Sequence, residues 1–148
     1  MAEMIGPLAG LFLLAFSAAT LLPGGSEAGL LALASLSEYS NLTLLAVASL
    51  GNVLGSVLNY GLGRLALQYQ DRRWFPVSAR QLIGAQRWFS RWGQWSVLLA
   101  WVPVIGDPIT VAAGVMRMRV GLFIALVSLS KTLRYGVLLG AFGLLSKF

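Results

Sequence analysis

The chain has 148 residues, 57% hydrophobic and 11% charged, with a mean hydropathy of +0.78. Soluble domains carry about 25% charged residues, so a water-soluble fold is excluded and a single all-α integral membrane domain over 1–148 is expected. Cysteine and histidine are absent, which excludes disulfides, thiol catalysis and imidazole metal sites; the net charge of +6 clusters between apolar segments and favours anionic lipid headgroups over nucleic acid.

Ile5–Leu22 is apolar; no Lys or Arg precedes it and Glu3 does, so it reads as a retained segment rather than a signal peptide. The break Leu22-Pro23-Gly24-Gly25-Ser26-Glu27 follows, and then Ala28–Leu36. Nine residues rise only about 14 Å as a helix, under half the hydrocarbon core. The pattern predicts a re-entrant helical hairpin with its tip at Pro23, Gly24, Gly25 and Ser26. Leu42–Gly63 has no charge and reads as a full span. Its Gly51-x-x-x-Gly55 spacing, with Gly136-x-x-x-Gly140 later, predicts close packing of the spans.

The stretch 64–94 is a basic linker. Within it, Ser78–Trp92 has helical periodicity, with Arg80, Arg87 and Arg91 on one side and Leu82, Ala85, Phe89 and Trp92 on the other. An interfacial amphipathic helix is predicted, with Trp88 and Trp95 as further anchors. Trp95–Met116 is apolar but broken by Pro103, Gly106, Asp107 and Pro108. A second re-entrant hairpin there returns Arg117 and Arg119 to the side of the linker arginines, which the positive-inside rule makes cytoplasmic. Val120–Leu145 is the second span. The expected architecture is two inverted repeats, about 5–63 and 95–145, each a re-entrant hairpin plus one transmembrane helix.

Four ionisable residues fall at membrane depth: Glu27, Asp107, Lys131 and Arg134. Each costs roughly 2.5–3.5 kcal/mol if unpaired on insertion scales. Two acids and two bases make a neutral set, so they are expected to meet. Ser128, Lys131, Arg134 and Tyr135 form a polar stripe on the second span, and Asn52, Gly55, Ser56, Asn59 and Gly63 form one on the first. Together these residues outline a central hydrophilic cavity; a structural ion-pair cluster that binds nothing is the competing reading.

Leu22-Pro23-Gly24-Gly25-Ser26-Glu27-Ala28, Gly51-Asn52-x-x-Gly55-Ser56-x-x-Asn59-Tyr60-x-x-Gly63-Arg64 and Val102-Pro103-Val104-Ile105-Gly106-Asp107-Pro108 resemble the short, YqaA-like branch of the DedA family. That family shares its domain with the autophagy-associated scramblases. The resemblance covers about 20–120 and implies a bacterial inner-membrane protein with two re-entrant hairpins. Some members are implicated in moving undecaprenyl phosphate or phosphatidylethanolamine, and in proton-motive-force homeostasis. Larger DedA proteins carry a stretch resembling Arg-Phe-x-Pro-x-x-Arg-Thr at the second hairpin. Here Ala100 and Gly106 stand at the arginine positions and Asp107 at the threonine, so an arginine clamp is not carried over; Lys131 and Arg134 are the local cations.

The leading expectation is a flippase or scramblase for a lipid or lipid phosphate. Glu27 and Asp107 would gate by exchanging protons, or by exchanging Lys131 and Arg134 for an anionic headgroup. A proton-coupled small-solute or ion transporter and a non-transport assembly protein are the alternatives. An enzyme is least expected, because no nucleophile–base pair, phosphate loop or metal-ligand spacing accompanies the acids. No cofactor or metal is expected. Anionic membrane lipids are the expected partners, with protons and a second copy of the chain as further ones.

Overall fold

Long, mostly apolar runs produce the two long helices, and α2 and α5 each begin just past a proline–glycine stretch. A computed structural model of the chain describes residues 2–20, 25–36, 38–69, 73, 78–102 and 105–147. In chain order the helices are α1 (Ala2–Thr20), α2 (Gly25–Ser35), α3 (Asn41–Tyr69), α4 (Ala79–Trp92), a 3-10 helix (Gly93–Trp101), α5 (Gly106–Val115) and α6 (Val120–Leu145). All regular structure among the described residues is helical. α3 and α6 are the two long enough and apolar enough to cross a bilayer. Helices long and apolar enough for the two expected spans are therefore present, and α3 runs six residues beyond Gly63 into the basic stretch.

Local chemistry sets the ends. Ser40 caps α3, its Oγ accepting the Thr43 amide at 3.1 Å. At the end of α5, Met118 N–H reaches Ala113 O and Arg117 N–H reaches Gly114 O, both at 3.0 Å. That is a Schellman turn, with Arg117 in its left-handed position at φ 53°. An arginine there costs roughly 1–2 kcal/mol relative to a right-handed conformation. The Tyr60 hydroxyl offsets it by donating to Met118 O, and the Met118 side chain is buried in the core. α5 thus turns directly into α6.

α3 is the central post: α1, α5 and α6 all pack along it. Glycines let two of these contacts close backbone to backbone. A Cβ on Gly51 would lie 2.5 Å from Phe12 O, and one on Gly55 2.6 Å from Phe16 O. Further along α3, Gly63 faces Gly114 of α5 so closely that a Cβ on either would lie 3.0 Å from the other's Cα. The small-residue expectation thus needs correcting. Gly51 and Gly55 receive α1 rather than the other span, and Gly136 and Gly140 have nothing within 4 Å. The spacing alone does not say which neighbour fills the notch.

α4 packs on α5 and on the 3-10 helix. Arg80, Arg87 and Arg91 are exposed and Phe89 is buried, as the periodicity implies. Trp92 departs from expectation: it is 56% exposed. It stacks on Trp88 instead, with ring centroids 6.2 Å apart, so both indoles lie on the outer surface. The side chains of Leu82 and Ala85 lie outside the described residues, as do Pro23, Gly24 and Pro103 of the two breaks.

Gly114→Ala should destabilise the protein by about 1–3 kcal/mol, the usual penalty of overpacking, whereas Gly140→Ala should be neutral or mildly stabilising. Thermal unfolding of the two purified variants in detergent checks this; equal midpoints would remove the α3–α5 crossing as a stabilising contact.

Candidate functional site

Both breaks end in a helix whose first turn carries an acid: Glu27 in α2 and Asp107 in α5. The exposed N–H groups of a first turn favour a carboxylate there. Both bases come from a single helix, since Lys131 and Arg134 are three residues apart on α6 and so share a face. Folding brings each acid to one base. Arg134 Nη2 donates to Glu27 Oε1, and Lys131 Nζ lies 3.5 Å from Asp107 Oδ1. The four charges expected to meet do meet, as two pairs.

The pairs differ in access. Lys131 is 2% exposed and Asp107 25%, whereas Arg134 is 12% and Glu27 30% exposed. Beside the second pair runs a groove of about 670 Å³, bordered by Glu27 and Arg134 and walled by Leu98, Trp101, Leu133 and Val137. Lys131 and Asp107 are not among its lining residues.

The asparagines of the first span are buried fasteners. Asn52 Nδ2 donates to Ala15 O at 2.9 Å and to the Tyr135 hydroxyl at 3.0 Å. Tyr135 in turn donates to Ser26 Oγ at 2.8 Å. One chain of hydrogen bonds therefore joins α1, α3, α6 and α2, and it fixes the residue next to Glu27. Asn59 Nδ2 donates to Ala19 O at 2.6 Å and to Thr110 Oγ1 at 3.3 Å. It ties the last turn of α1 to the second turn of α5. Ser56 returns its hydroxyl to Asn52 O at 3.0 Å. Of the expected tip residues, Ser26, Gly106 and Pro108 are buried and Gly25 is exposed.

The open space beside the charges thus has apolar walls, and the amide nitrogens of Asn52 and Asn59 are spent on neighbouring helices while their Oδ1 atoms stay buried without a hydrogen-bond partner. Two residues that periodicity did not single out also take part. Thr110 donates to Asp107 O at 2.7 Å, and Ser130 donates to Leu98 O at 2.9 Å, joining α6 to the 3-10 helix. Their signal was adjacency, one three residues after Asp107 and the other immediately before Lys131. Among the described residues no group of three or more Asp or Glu could hold a metal ion.

Compared with known proteins, residues 22–143 match the VTT domain, a stretch that takes in both breaks, both spans and all four charges. The chain belongs to the VTT-domain, or DedA, family. Among its VTT-domain relatives, Inner membrane protein YqaA of Escherichia coli is 38% identical over 125 residues, 84% of this chain and 83% of the relative. An uncharacterized protein of Haemophilus influenzae is 34% identical over 136 residues, 87% of this chain and 83% of that one. Undecaprenyl phosphate transporter A of Staphylococcus aureus is 32% identical over 112 residues, 70% of this chain and 55% of the relative. No solved structure matches. Membership and the apolar helices make this DedA protein a membrane protein.

Asp107→Asn would leave Lys131 buried without its counter-charge and should cost about 3–5 kcal/mol. The variant should unfold early in detergent, and adding Lys131→Met should restore the midpoint. An unchanged midpoint for the single variant would show that the pair does not hold α5 to α6.

Proposed function

We propose that this DedA protein carries a lipid, or a lipid phosphate such as a polyprenyl phosphate, across the bacterial inner membrane. One observation carries the reading: a groove halfway along α6 with hydrocarbon walls and the Glu27–Arg134 pair at its border. A small hydrophilic solute would leave the Leu, Val and Trp walls unused. A lipid uses both features, its tail lying on the apolar walls while its headgroup meets the charged pair. The name of the Staphylococcus aureus relative, an undecaprenyl phosphate transporter, supports the lipid-phosphate class. Proton coupling would run through the carboxylate at the groove, Glu27, while Asp107, Lys131, Asn52 and Asn59 hold the helices around it.

The proposed framework is a single membrane domain of two inverted repeats, each a re-entrant hairpin and a span, with the linker 64–94 between them. The packing supports it. α1 lies on α3 as the 3-10 helix lies on α6, and each short acidic helix reaches the span of the other half, α5 on α3 and α2 on α6. The linker arginines, with Arg117 and Arg119, are assigned to the cytoplasmic face.

Two measurements test this. In this cysteine-free chain, Arg91→Cys and Arg119→Cys should label from the cytoplasmic side and Glu38→Cys from the periplasmic side. Opposite labelling of 91 and 119 would remove the second hairpin and the inverted repeat with it. In liposomes containing fluorescent phospholipid or fluorescent polyprenyl phosphate, the protein should expose inner-leaflet label to dithionite, and Glu27→Gln should abolish this in a folded, inserted protein. Quenching no greater than in protein-free vesicles, for both lipids, would end the lipid reading.

A further inference from the structure

We infer that Glu27 is a built-in stand-in for the substrate's phosphate: it occupies Arg134 in the empty groove and yields it when a phosphate-bearing lipid enters. The inference rests on the lipid reading above and gives it a ligand atom by atom. Two cations three residues apart on α6 could in principle meet a headgroup. Only Arg134 borders the groove, and its partner Glu27 is the more exposed of the two acids, at 30%. Lys131 is 2% exposed, held by Asp107 and away from the groove.

The chemistry favours the same assignment. A guanidinium presents a planar fork of donors that fits a phosphate bidentately, whereas an ammonium is a point charge that loses more hydration on burial. The Arg134–Glu27 contact uses Nη2 and Oε1, so a phosphate oxygen replaces a carboxylate oxygen of like charge. Ser130, also at the groove, already gives its hydroxyl to Leu98 O. The remaining wall is Leu98, Trp101, Leu129, Leu133, Val137 and Leu138, which offers a lipid tail apolar surface and would reject free phosphate. The exchange costs no new buried charge at Arg134, because the cation is never left alone.

A carboxylate that competes with substrate makes an unusual prediction: its removal tightens binding. The probes are farnesyl phosphate, farnesol and inorganic phosphate, titrated against the purified full-length chain in detergent. Farnesyl phosphate should bind, farnesol more weakly, and inorganic phosphate should not displace the lipid at equal concentration. Glu27→Gln should tighten farnesyl phosphate binding, and Arg134→Gln should weaken it by about tenfold or more, the worth of a charge-assisted hydrogen bond. The neutral exchange of the other pair, Asp107→Asn with Lys131→Met, should keep affinity within about twofold. If Arg134→Gln does not accumulate, Arg134→Lys keeps the charge but loses the fork and should still bind more weakly. Weaker binding by Glu27→Gln, unchanged binding by the Arg134 variants, or equal loss in the Lys131–Asp107 exchange overturns this inference while the lipid reading stands. Absence of farnesyl phosphate binding to the unaltered chain overturns both.

Discussion

α6 carries two cations through the middle of an apolar segment, and every other part of the site answers to that. An isolated cation at that depth costs several kcal/mol, so the helix is stable in lipid only where counter-charges reach it. The acids that do so come from different halves of the chain, Glu27 from the start of α2 and Asp107 from the start of α5. Each stands just past a break, where exposed N–H groups help to hold a carboxylate. The first turns of α2 and α5 therefore deliver negative charge to α6. The hydrogen-bonded chain Ala15–Asn52–Tyr135–Ser26 and the link Ala19–Asn59–Thr110 then hold the helices that carry those acids.

The two halves are clamped unequally. α5 is drawn against α3 by the Gly63–Gly114 crossing and fixed below by the Met118 turn. α2 has fewer constraints: its polar anchor to α6 is at Ser26 and Glu27, and the groove lies on that side. Backbone-to-backbone contacts do not yield by small amounts, because a packed interface resists continuous deformation.

Much of this was legible in the sequence, because hydropathy and the cost of buried charge are properties of composition. The spans, the breaks, the amphipathic helix and the meeting of the four charges follow from where apolar runs stop and where Glu27, Asp107, Lys131 and Arg134 fall. The pairing was not legible, since both acids are suitable partners for both bases and only the three-dimensional path of α2 and α5 chooses. Nor was the use of the polar stripe. Asn52 and Asn59 look alike as cavity lining and as fasteners, and the difference lies in the α1 carbonyls they meet. The glycine spacings failed in the same way. Gly51-x-x-x-Gly55 and Gly136-x-x-x-Gly140 are the same pattern, one filled by Phe12 and Phe16 of α1 and the other open.

The packing at Ala100 and Gly106, the positions where the resemblance to larger DedA proteins implies arginines, leaves no room for a longer side chain. Ala100 is fully buried, and Gly106 sits against the Ala100 backbone so tightly that a Cβ would lie 2.7 Å from its carbonyl carbon. An arginine at either position would have to force the 3-10 helix and α5 apart. Asp107, in the first turn of α5, adds a negative charge beside these two residues. Its counter-charge comes from α6, which is packed against the 3-10 helix through Ser130 and Leu98. Lys131 neutralises the acid, and Arg134, one turn on, is left to face the groove. The cations of this site therefore stand on α6, one paired to each acid, and only the Arg134 pair borders the groove.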